Sequence, residues 1–213
     1  MESLIARAIR GLNWTGLRSV QVRGTLPSAG CVWAANHHSW WDGWAGAAVI
    51  WDEQRRPGLL MDPTNLDRFA FLRRVGVLGT GELRAATRAV QTGTVMIVFP
   101  EGELRAPGRP GPLHRGAAWL GVRSGTPVLP VATRAVMRAH AVPEYVIDIG
   151  PPLHGDDPHE LTARLDTALT GGLATLDAQL ATSDPAARLP GFRVVHRGRR
   201  DWDERVSRSA VRP

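Results

Sequence analysis

His37 and Asp42, five residues apart in Asn36-His37-His38-Ser39-Trp40-Trp41-Asp42, are a pair that could move a proton. A neutral imidazole takes a proton at one ring nitrogen while a carboxylate holds the N–H of the other, so the histidine can act as general base and the aspartate as its orienter. The spacing constrains how they meet. On one continuous helix five residues turn the side chain by about 500°, which would leave the two roughly 140° apart. The histidine must therefore lie in a loop and the aspartate in the first turn of the next helix. Ser39 fits, because Ser-x-x-Asp ahead of an apolar run is the pattern of an N-cap with its capping box. The pattern also has a plainer meaning, in which Asp42 only caps the helix, and His38 is a rival base in the same stretch.

The elements that position this pair can be read from hydrophobic patterning. Cys31–Ala35 reads as a strand delivering Asn36 and His37 at its carboxyl end, and residues 42–51 as the helix after it. Residues 58–61 read as a short strand, 66–74 as a helix, 75–78 as a strand, and 83–91 as a helix with Gly93 as its C′ residue. Residues 95–99 are apolar without alternation, as central strands of covered sheets are, and they end at Pro100-Glu101-Gly102. Further on come a helix over 113–123 ending at Gly125, a strand over 128–131 closed by Pro130, and a strand over 145–149. Leu161, Leu165, Leu169, Leu173, Leu176 and Leu180 mark a late helical region weakened at Gly171-Gly172. Strands alternating with helices predict an α/β domain with a mixed, largely parallel central sheet covered by helices, and a ligand crevice at the strands' carboxyl ends. His37 and Glu101 both fall there.

The 213 residues suffice for one such domain, over residues 21–182, with a tail at 183–213 where eight arginines face four acids and the hydrophobic pattern is lost. Residues 1–20 carry Leu4, Ile5, Ala8, Ile9 and Leu12 at helical spacing with Arg7 and Arg10 off the stripe. That suits either an amphipathic helix lying in a membrane interface or an ordinary helix packed on its own domain. The formal charge is +6 and every basic residue is arginine, since the chain has no lysine. Arginine grips phosphate with a bidentate fork, which suits a phosphate-bearing partner such as anionic lipid, a nucleotide-linked co-substrate or nucleic acid. No aromatic RNP pattern accompanies the arginines, so nucleic acid is not expected. The single cysteine, Cys31, excludes an internal disulfide, and the seven histidines are scattered, so no metal site is expected. No run approaches the ~20 apolar residues a membrane span needs, and no cleavable signal is legible, which predicts a cytoplasmic chain, soluble or peripheral to the membrane. Trp40, Trp41 and Trp44 could anchor the catalytic loop at a lipid interface or pack inside; Trp44 reads as packed, and Trp40 stays open.

Four stretches in order resemble the glycerolipid acyltransferases, the family of lysophosphatidate acyltransferases and their relatives. They are Asn36-His37-x-Ser39-x-x-Asp42, residues 72–78 with a later arginine, Phe99-Pro100-Glu101-Gly102, and Thr126-Pro127-Val128-Leu129-Pro130-Val131. The resemblance covers roughly residues 20–150 and implies a single domain of the glycerol-3-phosphate acyltransferase type. It implies His37 as general base and Asp42 as its partner, attacking through an acceptor hydroxyl on the thioester of acyl-CoA or acyl carrier protein, with no further cofactor. Backbone N–H groups around Ser39 could then hold the oxyanion, with Asn36, Ser39, Glu101, Gly102 and Arg105 placing substrate. The arginine of the second stretch could be Arg84, Arg74 or Arg73. The implied partners are a lysolipid acceptor such as lysophosphatidate and a membrane surface. The chain departs from the family where Glu103 intervenes before Leu104-Arg105, setting an acid where phosphate would sit. That leaves a glycolipid, a carotenoid glycoside or an amine open as acceptor, and a noncatalytic phosphate- or lipid-binding protein as the alternative of another class.

Overall fold

The computed structural model describes residues 4–199, except the side chains of residues 4–6, 9, 10 and 14. Eight strands, β1 (Ser19–Arg23), β2 (Cys31–Ala35), β3 (Arg56–Met61), β4 (Val77–Gly79), β5 (Thr94–Val98), β6 (Val128–Val136), β7 (Glu144–Ile149) and β8 (Arg193–Arg197), make one sheet in the order β4-β3-β5-β2-β6-β7-β1-β8. The first five in that order run parallel, β7 opposes β6, β1 runs with β7, and β8 closes the edge antiparallel to β1. Around it lie α1 (Leu4–Gly16), α2 (Asp42–Asp52), α3 (Pro63–Arg68), α4 (Leu83–Gln91), α5 (Gly116–Ser124) and α6 (Pro158–Thr182).

The unbroken apolar run of β2 reflects cover on both faces. Cys31, Trp33 and Ala35 pack with Ala45, Val49 and Ile50 of α2 on one side. Val32 and Ala34, between them in sequence, pack with residues of α4, α5 and α6 on the other. β2 therefore lies in the middle of the molecule, and the loop after Ala35 emerges at the centre of the sheet's carboxyl edge. Gly93 and Gly125 close α4 and α5 with positive φ, as expected of C′ glycines.

Several elements differ from the expected ones. The helix over 66–74 divides into α3 and a 3-10 turn at Ala70–Val75. Leu66 and Leu72 share one apolar cluster, and six residues of unbroken helix would turn them about 120° apart, so the chain must change pitch between them. Pro130 does not close β6, which runs on to Val136. Its carbonyl accepts from Gly150 just past β7, and because N–H and C=O of a strand residue face the same side, the missing donor falls at the end of a ladder. Gly171-Gly172 does not interrupt α6; a Cβ at 172 would lie 3.3 Å from the Ala132 side chain, so the glycine lets the helix cross close to β6. The segment from 183 is not all solvated tail: Leu189 and Phe192 are buried and β8 extends the sheet, while residues 200–213 lie outside the described residues. The N-terminal helix forms as α1; of its stripe Ala8 is exposed and Leu12 half-buried, while the side chains of Leu4, Ile5 and Ile9 lie outside the described residues. Among the described residues no helix is long and apolar enough to cross a membrane.

Candidate active site

The geometry of the site starts from a mismatch of strand lengths. β2 pairs with β6 as far as Ala35↔Val131, but β6 continues for five more residues. Its exposed edge needs partners, and the loop after β2 supplies them from side chains. Asn36 accepts the Thr133 N–H at 2.8 Å and donates to the Thr133 carbonyl at 3.2 Å, so its carboxamide does the work of a peptide group. One step on, His38 Nε2 accepts the Ala135 N–H at 2.9 Å. These two side chains extend the ladder while the main chain leaves it, as buried edges require. Asn36, expected to place substrate, is instead buried and structural. His38 is excluded as the base for the same reason: its acceptor nitrogen is engaged, and burial, the largest effect on it, holds its pKa below the usual histidine range.

His37 and Asp42 meet as the spacing predicts. Nδ1 of His37 lies 2.7 Å from Asp42 Oδ2, with the carboxylate 1% exposed and the imidazole 25% exposed. A carboxylate only accepts, so Nδ1 carries a proton, and in the neutral imidazole the lone pair is then on Nε2. Nε2 makes no hydrogen bond within the described protein. The ring stacks on Phe99, centroids 4.1 Å apart and planes 12° apart, which removes its remaining freedom to rotate. Asp42 is saturated: besides His37 it accepts the N–H groups of His38 at 2.8 Å and Ser39 at 3.0 Å on Oδ2, and the Tyr145 hydroxyl at 2.6 Å on Oδ1. The capping-box half in which Asp42 reaches back to Ser39 is therefore present. The other half is shifted, with Ser39 Oγ accepting from Trp41 and Trp41 standing at the N-cap of α2. These bonds narrow one expectation: the amides of His38, Ser39 and Trp41 are engaged inside the loop, so an oxyanion would have to be met by other N–H groups of the helix start.

Glu101 comes just after β5, the parallel neighbour of β2, and arrives at the same edge. Its Oε1 accepts the His37 backbone N–H and its Oε2 the Gly111 N–H, each at 2.8 Å, while the His37 carbonyl accepts from the Arg105 N–H at 2.8 Å. The segment between β5 and α5 thus grips both peptide groups of His37. Glu101 is 3% exposed, and the carboxylate expected to place substrate holds the His37 main chain and closes its own loop. Gly102 turns that loop with φ +74°, and a Cβ there would lie 2.9 Å from the His114 ring, so its role is conformational. Arg134 ties the far end of the loop down, donating to the Gly108 carbonyl at 2.9 Å while gripping Asp177 of α6.

The arginines separate by environment. Arg105 is drawn to Glu103 at 2.6 Å and lies 3.7 Å from Glu101, and Arg73 pairs with Glu82 at 2.8 Å. Arg74 and Arg84 are exposed and make no ion pair among the described residues. Arg84 opens α4 just past the carboxyl end of β4, on the His37 edge; Arg74 precedes β4 and Gly76, which abuts Pro57 near the start of β3, so it lies toward the opposite edge. Trp44 packs on the Leu66–Leu72 cluster and Trp41 against Gly16, but Trp40 is 59% exposed. Tyr145 is a site residue that sequence reasoning misses; the one available signal is a phenol in an otherwise apolar strand, whose hydroxyl needs a buried partner. Among the described residues no group of His, Cys, Asp and Glu could hold a metal ion.

Compared with known proteins, residues 18–134 match the family model described as Acyltransferase. Among solved structures the fold is similar to that of the 1-acyl-sn-glycerophosphate (LPA) acyltransferase PlsC from Thermotoga maritima, with a TM-score of 0.63 over 82% of this chain and 80% of that one at 19% identity. Comparison with curated protein sequences finds no match.

Proposed function

This chain belongs to the acyltransferase family, and on that premise we propose that it transfers a fatty acyl group from the thioester of acyl-CoA or acyl carrier protein to a hydroxyl of a lysophospholipid such as lysophosphatidate. The observation that carries the reading is the single unengaged lone pair at His37 Nε2, backed by a saturated, buried carboxylate. The acceptor hydroxyl gives its proton to Nε2 as its oxygen attacks the thioester carbonyl. The imidazolium formed is stabilised by Asp42, and collapse of the tetrahedral intermediate expels a thiolate that takes the proton back. General-base action of this kind contributes about 10²–10⁴-fold. No acyl-enzyme forms, and the lone cysteine is buried at the far end of β2.

Arg84 is the residue suited to an acceptor phosphate, being unpaired, exposed and at the right edge. β4 stands three strands from β2, or about 14 Å at ~4.8 Å per strand, so the long Arg84 side chain must reach toward β2 for one acceptor to meet both its guanidinium and His37. A lipid acceptor fits the rim as well. Trp40, Leu83, Leu104 and Met137 are exposed apolar side chains, and each lies beyond the carboxyl end of one of the parallel strands β2, β4, β5 and β6. Apolar groups around the mouth of a basic protein suit contact with an anionic membrane surface.

A second acceptor class is favoured by Glu103. By pairing with Arg105 it removes one cation from the mouth, which suits a glycolipid, carotenoid glycoside or amine better than a phosphate. The test presents the purified chain with acyl-CoA and a panel of lysophosphatidate, neutral lysolipids and glycolipids while free thiol is tracked. Acceptor-dependent thiol release that disappears in His37→Ala and Asp42→Ala is expected. Release that survives both substitutions would overturn the reading.

A further inference from the structure

We propose that Tyr145 is a positioning residue for acyl transfer, setting the basicity of His37 through Asp42. The inference rests on the acyltransferase reading only for its catalytic consequence; the effect on His37 stands by itself. Tyr145 lies on β7, in the part of the sheet that opposes β6, and reaches Asp42 across 103 residues of sequence. The phenol is fully buried and its hydroxyl donates to Asp42 Oδ1 at 2.6 Å, on the oxygen that His37 does not use. The two donors share one carboxylate, so they compete for its charge. The charge that the phenol draws toward Oδ1 is withdrawn from the Oδ2 bond that stabilises the His37 imidazolium. Burial and the neighbouring Asp42 carboxylate keep the phenol protonated, and hence a donor, well above the ordinary tyrosine range.

A filler of the core would do none of this, and two opposite perturbations separate the roles. Tyr145→Phe deletes the donor with little change of shape, concentrating charge on Oδ2. Tyr145 is also the only tyrosine in the chain, so growth on 3-fluorotyrosine modifies this residue alone and makes its hydroxyl a more acidic, stronger donor. The other titratable and charged groups around the pair, His38, Glu101, Arg105 and Arg134, are the same in each form.

The experiment monitors the His37 imidazole by NMR titration of histidine-labelled full-length protein, assigned against His37→Ala, beside the pH dependence of kcat. Tyr145→Phe is expected to raise the His37 pKa and the acid limb of kcat by about half a unit to one unit, and fluorotyrosine to lower both by a few tenths. Unshifted titrations in both forms, or shifts of the same sign, would overturn the proposal. If Tyr145→Phe fails to fold, the fluorotyrosine shift decides alone. A protein that transfers no acyl group to any acceptor, yet shows the opposed NMR shifts, refutes the acyltransferase reading and leaves the Tyr145–Asp42–His37 coupling in place.

Discussion

Asp42→Asn isolates the charge of the dyad from its geometry. The carboxylate accepts three N–H groups on Oδ2 and one hydroxyl on Oδ1. An asparagine can place its carbonyl oxygen where Oδ2 was, keeping all three N–H donors. Its NH2 group then faces Tyr145, whose hydroxyl oxygen can turn to accept. The fold should survive, because what is lost is the charge assistance of the bonds and not the bonds. At ~0.5–1 kcal/mol for each of these bonds, that is about 2–4 kcal/mol of stability, or a fall in Tm of roughly 5–15 °C for a chain of this size.

Catalysis is hit harder. The imidazolium that forms in the transition state loses a negative charge centred about 4 Å away, worth ~4 kcal/mol at an effective dielectric of about 20. At ~1.4 kcal/mol per factor of ten, kcat falls about 10³-fold. If the amide turns the other way and presents NH2 to His37, the tautomer is wrong and the loss approaches ~10⁴-fold. The assay is thiol release from acyl-CoA in the presence of acceptor, read with a thiol-reactive dye. Cys31 adds no background, because it is buried and its thiol pKa is pushed up to about 12 by desolvation. A folded Asp42→Asn protein with kcat within tenfold of the parent would refute the dyad.

His38→Gln tests the rival base and the pH dependence of folding together. In the folded state burial lowers the His38 pKa, so this histidine contributes stability above the unfolded value of ~6.5 and loses it as pH falls below that value. Urea midpoints of the parent should therefore drop on acidification from pH 7 to 5, and His38→Gln, which offers an acceptor to Ala135 at any pH, should flatten that part of the drop; its acyl transfer should persist, whereas His37→Gln has none. Gly102→Ala must adopt φ near +74° beside the His114 ring, at a cost of about 1–2 kcal/mol. Because the strain sits between Glu101 and the loop it closes, kcat should fall several-fold with only a small change in Tm. Arg84→Gln should raise KM for a phosphorylated acceptor about tenfold while leaving a neutral lysolipid unaffected, and Arg73→Gln, already paired with Glu82, should change neither; equal effects on both acceptors would remove Arg84 from the phosphate site.

The features legible in the sequence, and those that are not, divide by the range of the interactions. β2 and β5 are legible because strands covered on both faces are apolar throughout, and their carboxyl ends locate His37 and Glu101. β8, which forms the sheet's far edge, and β1 beside it are not, because they carry Gln21, Arg23, Arg193 and His196, whose polarity resembles a loop. The roles of Asn36, His38 and Glu101 depend on facts no local pattern holds: that β6 outruns β2 by five residues, and that Gly111 folds back onto the loop. Tyr145 is the extreme case, a single side chain whose partner is 103 positions away. These tertiary facts change the meaning of the Asn-His-x-Ser-x-x-Asp pattern. The Asn36 carboxamide, the Ser39 hydroxyl, both Asp42 oxygens and the amides of His37, His38, Ser39 and Trp41 are all engaged within the chain. Among the ring nitrogens and carboxylate oxygens of His37 and Asp42, His37 Nε2 is the one atom without a partner among the described residues. The pattern is long because a buried turn at the end of a central strand has many polar groups to satisfy.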